Sequence, residues 1–156
     1  MMAWEADNIL TLALNGTPKG WSRAGHRIAG KEGSLFVQTY TPTPMRKYQD
    51  SIRKIARAAM VGRDPFHGAL SVSLRFRMPI PKSDPKWLRE AKAAGECAHI
   101  IKPDKDNLTK AVYDALNKIV WVDDAQIARG FQTKVYSTRP GIDVRIEAFA
   151  PQERAA

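Results

Sequence analysis

The apolar and polar positions of this chain recur with a few distinct periods, and those periods predict its elements. Residues 8–14, NILTLAL, read as a first strand that the turn residues Asn15, Gly16 and Pro18 bring to an end. The stretch KGWSRAGHRIAGKEG at 19–33 has no steady apolar period and is rich in glycine and basic side chains. It predicts a mobile basic loop ahead of a strand near Leu35 to Tyr40. From Thr43, a cap with Pro44 at the first helical position, the residues Tyr48, Ile52, Ile55, Ala56 and Ala59 recur at helical spacing. The other face of that helix holds Arg46, Lys47, Arg53, Lys54 and Arg57, which suits either phosphate contact or plain solvation. Next, ALSVSLRFRM sets Leu70, Val72, Leu74, Phe76 and Met78 against Ser71, Ser73, Arg75 and Arg77, the period of a half-buried strand, and Pro79 and Pro81 stop it. Asp84 and Pro85 open a short helix, PKWLREAKAA, that Gly95 closes.

Residues 99–136 hold the candidate chemistry. Pro103 fixes its own φ and pushes Lys102 toward extended backbone, which predicts that Asp104 and Asp106 lie in an extended segment leading into a helix. Alternate residues of such a segment point the same way, so both carboxylates would face one point with Lys105 turned aside. From Leu108 the positions Ala111, Val112, Ala115, Leu116 and Ile119 continue one helical stripe. Lys110, Asp114 and Asn117 occupy the opposite face, and Lys110 lies one turn past Asp106. After Asn117 the apolar run Ile119 to Val122 predicts a strand whose end delivers Asp123 and Asp124. A further strand, Gln126 to Tyr136, alternates in part through Ile127, Phe131, Thr133 and Val135.

Carboxylates held a few ångströms apart oppose folding unless a positive charge neutralises them. Mg²⁺ prefers oxygen ligands and is held by one or two carboxylates with waters and phosphate oxygens, so Asp104, Asp106, Asp123 and Asp124 suggest metal-assisted phosphodiester hydrolysis, with Lys110 neutralising the transition state. The same residues have a plainer reading: Asp106 as a helix N-cap, Asp104 as a turn acid, and Asp123 and Asp124 as solvated acids of a hairpin turn.

Composition narrows the classes. The chain has 156 residues, enough for one domain over 1–156, and is 44% hydrophobic, which excludes wholesale disorder. Its formal charge of +9 favours a polyanionic partner. Cys97 is the single cysteine and His26, His67 and His99 lie far apart, so any metal needs oxygen ligands. The N-terminus is acidic where a secretory signal is basic, and no apolar run approaches a membrane span, so a cytoplasmic protein without a membrane partner is expected. A noncatalytic basic DNA-binding protein remains the alternative from another class.

The string His99, Lys102-Pro103-Asp104-Lys105-Asp106-Asn107-Leu108, Lys110, Asp114-Ala115-Leu116-Asn117, Val122-Asp123-Asp124, Gln126-Ile127 and Lys134 resembles the RusA family of Holliday junction resolvases. Gly16, Pro18, Lys19 and Arg23 are similar to that family's Gly-x-Pro opening with its following basic residues. The resemblance implies a small α/β (α+β) domain with a mixed sheet packed with helices, acting as a homodimer in Mg²⁺-dependent cleavage of four-way DNA junctions, with Mn²⁺ as a substitute metal. It implies metal-binding acids at Asp104, Asp106 and Asp124 with Asp123 adjacent, a catalytic lysine at Lys110, and DNA contacts from Lys19, Arg23, Arg27, Lys102, Lys105 and Lys134. Cleavage of forks or flaps stays open within the enzyme class.

Overall fold

The computed structural model describes residues 8–149. Along the chain these form β1 (Ile9–Asn15), β2 (Gly25–Lys31), β3 (Ser34–Tyr40), α1 (Thr43–Ala59), β4 (Leu70–Pro79), α2 (Lys86–Ala93), α3 (Lys105–Leu116), β5 (Ile127–Ser137) and β6 (Gly141–Ala148). A short 3-10 turn, Asp124–Gln126, precedes β5. The main sheet runs β1-β6-β4-β5, with β6 antiparallel to both neighbours and β4 parallel to β5. The parallel pair needs a long crossover, and α2 and α3 supply it. The result is a small α+β domain with a mixed sheet, as expected.

The alternation seen in β4 is repeated across the sheet. Register aligns Leu10 with Ile146 and Val72, Leu12 with Val144 and Leu74, and Leu14 with Ile142 and Phe76, making three apolar rows on one face. Each row ends on β5 at a residue without an apolar side chain: Gly130, Gln132 and Lys134 respectively. The core face therefore stops one strand short of the sheet edge. Over the apolar rows lie Met45, Tyr48, Ile52 and Ala56 of α1 and Leu108, Ala111, Val112, Ala115 and Leu116 of α3, all buried. Burying each large side chain contributes about 1.5–3 kcal/mol. Gln49 of α1 spans the two helices, its Nε2 donating to the Ala111 carbonyl at 3.1 Å. The opposite face of the sheet is polar, with Arg77 Nε paired to Asp143 Oδ2 at 3.1 Å. Among the described residues no helix is long and apolar enough to cross a membrane.

Three local expectations are corrected. The stretch expected as a loop contains β2, which pairs with β3 as a hairpin closed by Glu32 and Gly33, the latter at φ +91. Neither strand has a buried residue, and a ribbon with no face on the core needs no apolar alternation. Helix α1 starts one residue earlier than expected: Pro42 is its N-cap, and its carbonyl accepts from the Arg46 N–H at 3.0 Å, with Thr43 already helical. Residues 119–122 form a turn instead of a strand, buried at Val120 and Trp121 and open at Val122. The chain reverses at Lys118, in the left-handed region at φ 64, and the Lys118 N–H donates to the Trp121 carbonyl at 2.8 Å. The apolar run reflects the full burial of Val120 and Trp121 against the core.

A lysine at that φ carries a steric cost that glycine avoids. Lys118→Gly is expected to raise unfolding stability by about 0.5–1 kcal/mol in denaturant titration, because relief of αL strain exceeds the added chain entropy.

Candidate active site

Helix α3 begins directly after Asp104, whose carbonyl accepts the first helical hydrogen bond from the Leu108 N–H at 3.1 Å. Asp106 therefore lies inside the first turn, and the extended Asp104-Lys105-Asp106 segment expected from Pro103 does not form. Asp104 keeps extended backbone, with φ −66 and ψ 146, while Asp106 is helical, so the alternation that would aim both carboxylates at one point is lost. Nor is Asp106 the N-cap; Asp104 is, and its side chain does not cap. Instead Asp104 Oδ2 takes Lys102 Nζ at 2.6 Å. The Lys102–Pro103 peptide is cis. The acid at 106 falls into a different alignment: Asp106, Lys110 and Asp114 repeat every four residues on one stripe of α3, opposite its buried face.

The segment after β1 latches onto this helix. The Trp21 N–H donates to the Asn107 carbonyl at 2.8 Å, and Lys110 Nζ stands 4.2 Å from the centre of the Trp21 ring. Gly20 allows the approach, since a Cβ there would lie 2.8 Å from Pro103 Cβ. Lys110 is thus held over the Trp21 ring, beside the segment that crosses α3 at Asn107.

The second acidic pair is fixed by hydrogen bonds. Asp123 caps the 3-10 turn, its Oδ1 accepting from the Ala125 N–H at 2.7 Å. Gln126 completes the box: Oε1 accepts from the N–H groups of Val122 and Asp123, both at 2.8 Å, while Nε2 donates to the carbonyls of Phe66 at 2.7 Å and Gly68 at 3.1 Å. Asp124 is half-buried, and its Oδ1 accepts from Nε1 of the fully buried Trp121 at 2.6 Å. The Trp121 indole also receives the Tyr113 ring edge-on at 5.7 Å.

The charges of the two elements are felt together. Partial burial pushes the Asp114 carboxyl above the usual carboxylate range; Lys110 draws it back, Asp124 pushes it up again, and Arg53 draws it down. Burial likewise raises the Tyr113 hydroxyl, with the Gln132 hydrogen bond opposing and Asp124 adding to the rise. The structure therefore brings Lys110, Asp114, Tyr113 and Asp124 into one electrostatic neighbourhood.

The polar end of each sheet row forms the adjoining wall. Gln132 Nε2 reaches the Tyr113 hydroxyl at 3.4 Å, and Lys134 Nζ donates to the carbonyls of Ile101 at 2.8 Å and Pro103 at 3.0 Å, bracing the loop that carries Asp104. Behind that loop, His99 is buried with its ring centre 4.7 Å from that of Tyr136. Burial holds the His99 pKa below the ordinary histidine value, with repulsion from Lys134 and Lys92 in the same direction and its own backbone hydrogen bond opposing. Among the expected DNA-contacting residues, Lys19, Arg23, Arg27, Lys102 and Lys105 are exposed, whereas the Lys134 ammonium is engaged with backbone.

Among the described residues no three His, Cys, Asp or Glu side chains gather as a ready-made metal-ligand set. In kind the donors suit a hard cation, since they are carboxylates and such an ion prefers oxygen ligands, while Lys110 and Arg53 already offset part of the Asp124 push on Asp114. Sequence reading passed over Asp114 as a functional residue, although its spacing from Asp106 and Lys110 carried the signal. Trp21, Trp121 and Gln132 had no such signal, because their partners are remote in sequence or depend on the turn at 118.

A family model described as endodeoxyribonuclease RusA matches residues 15–147, most of the chain. Over 81 residues the chain is 36% identical to an uncharacterized protein of Bacillus subtilis (strain 168), YqaN, a match covering 51% of this chain and 57% of that protein. The match thus spans little more than half the length of that relative.

Replacing Gln126 with alanine removes its four hydrogen bonds under the acidic turn, and a loss of about 2–3 kcal/mol is expected in denaturant titration. The depressed His99 pKa has a defined sign. The unfolded chain binds the proton more readily, so its contribution is complete above the ordinary histidine value of 6.5 and is lost as pH falls through the folded value. Melting temperature should therefore drop below about pH 6.5, and His99→Phe, which keeps a ring against Tyr136, should flatten that drop.

Proposed function

The chain belongs to the RusA endodeoxyribonuclease family, and on that premise we propose that it is a Mg²⁺-dependent endodeoxyribonuclease that cuts four-way DNA junctions as a homodimer. Mn²⁺ is the expected substitute metal. The observation that supports this most is the Asp106, Lys110, Asp114 stripe of α3 set beside Asp124, with the Lys110 ammonium held over Trp21.

Hydrolysis adds a water oxygen to phosphorus and breaks one P–O ester bond, whose electron pair leaves on the departing oxygen and takes up a proton. Asp104, Asp106 and Asp124 with Asp123 adjacent would hold Mg²⁺ once these carboxylates, which do not gather by themselves, close on it, and the ion would supply a Lewis acid and an acidified water. Lys110 places positive charge where the phosphoryl oxygens gain negative charge. Trp121 orients the Asp124 carboxylate and the Gln126 clamp fixes the backbone of the turn just before it, which favours an acid that is preset before DNA arrives. Lys134 keeps the Asp104 loop in place through the Ile101 and Pro103 carbonyls. Lys19, Arg23, Arg27, Lys102 and Lys105 offer phosphate contacts, which make binding steeply salt-dependent. A two-fold dimer would present two sites to symmetry-related strands of a junction.

A second reading, a noncatalytic DNA-binding protein, is favoured by one observation: no ready-made ligand set exists among the described residues. Calorimetric titration of the DNA complex with Mg²⁺ separates the two, because the enzyme reading requires a site that Asp104→Asn or Asp124→Asn weakens.

On a labelled four-way junction with Mg²⁺, paired symmetric nicks are expected; equal cutting of linear duplex without such pairs would overturn junction resolution, and a preference for forks or flaps would redirect it. Asp106→Asn should leave binding within about twofold and lower cleavage about a hundredfold or more, since the amide keeps the shape and loses the charge. Full activity in that variant defeats the mechanism.

A further inference from the structure

The β2–β3 hairpin rises from the edge of the site, since Gly25 follows the Trp21 latch by four residues. Register gives it two unlike faces. Ile28 lies opposite Val37, and Leu35 lies two residues before Val37, so these three side chains share one face. They are 74%, 68% and 70% exposed for Ile28, Val37 and Leu35, an apolar strip with no core beneath it. The other face mixes charge with aromatics: it carries Lys31, Phe36, which is 56% exposed, and Arg27, which donates from Nε to Gln38 Oε1 at 2.8 Å and stands 5.7 Å from the Tyr40 ring centre. Isolated surface apolar residues are ordinary, but a contiguous strip of β-branched and leucine side chains on an unsupported ribbon marks a contact surface.

Charge decides what it contacts. The hairpin and its stem, residues 19–40, carry Lys19, Arg23, Arg27 and Lys31 against the single acid Glu32. A second copy docked on the apolar face would leave Arg27 and Lys31, which project from the other face, without counter-charge, whereas a nucleic acid wrapped on the ribbon would neutralise them. We infer that the hairpin is a wedge for branched DNA: Ile28, Leu35 and Val37 lie against base faces left unstacked at the branch point, while Arg27 and Lys31 hold the flanking phosphates. Apolar side chains inserted at a disrupted base step are a known way of recognising deformed DNA, and the disruption costs least where the helix is already interrupted. Structure selectivity then comes from this hairpin and cutting from the α3 site. The inference rests on the reading of the protein as a nuclease of branched DNA.

The test compares the wild type with the triple variant Ile28→Thr, Leu35→Thr, Val37→Thr, which keeps strand propensity and exchanges only exposed groups. The substrates are a four-way junction with 2-aminopurine at the branch point and a linear duplex of the same arms. The wild type should raise 2-aminopurine fluorescence on binding. The variant should lose that rise and about tenfold of its preference for junction over duplex, with duplex affinity and its salt slope unchanged. A wild type that cuts junctions without any fluorescence rise overturns the wedge alone, whatever the variant does. A variant indistinguishable from wild type does the same, and so does one whose sedimentation mass falls from dimer to monomer, since the strip is then a subunit interface. A wild type that neither binds nor cuts branched DNA in preference to duplex overturns the nuclease reading and the wedge together.

Discussion

The burial of one face of α3 fixes most of what surrounds it. Leu108, Ala111, Val112, Ala115 and Leu116 are fully buried against the sheet and α1. That leaves the helix no rotational freedom, and its opposite stripe of Asp106, Lys110 and Asp114 must face outward along a line set by helical geometry. Everything else in the site is positioned relative to that stripe: the Trp21 segment crosses its front, the Asp124 turn approaches from the far end of the helix, and β5 stands beside it.

Placing acids there imposes a cost that the fold meets with specific hydrogen bonds. A half-buried carboxylate without partners loses its hydration, which makes it an unstable fixture. Asp124 receives the indole N–H of Trp121, Asp123 receives a backbone N–H, and Gln126 ties the backbone of that turn to the strand-like segment at Phe66. The same logic explains β5. A fourth strand with apolar residues at 130, 132 and 134 would extend the core under the site; Gly130, Gln132 and Lys134 instead give it a polar wall and a brace for the Asp104 loop.

Two parts of the molecule carry positive charge in different ways. At α3 the Lys110 cation is confined over an aromatic ring beside acids, an arrangement suited to one position in space. Along the hairpin the cations are exposed and spread over a ribbon with no core of its own, an arrangement suited to a long polyanion. The Trp21 segment joins the two, so a ligand seated on one lies close to the other.

The amino-acid order by itself determined the elements whose burial is periodic. β4 and α3 follow from alternation and from a helical stripe, because each has one face in the core and the other in water. It also determined which acids and which lysine stand out, through their spacing in residues 102–124. It failed where burial is absent or total: β2 has no buried residue and so no period, and Val120 and Trp121 are buried in a turn whose apolar run mimics a strand. Only the tertiary structure decided that α3 begins before Asp106, that Trp121 holds Asp124, and that Trp21 lies over Lys110. Those outcomes depend on where a chain reversal points one indole and on contacts between segments some ninety positions apart, and neither leaves a trace in local periodicity.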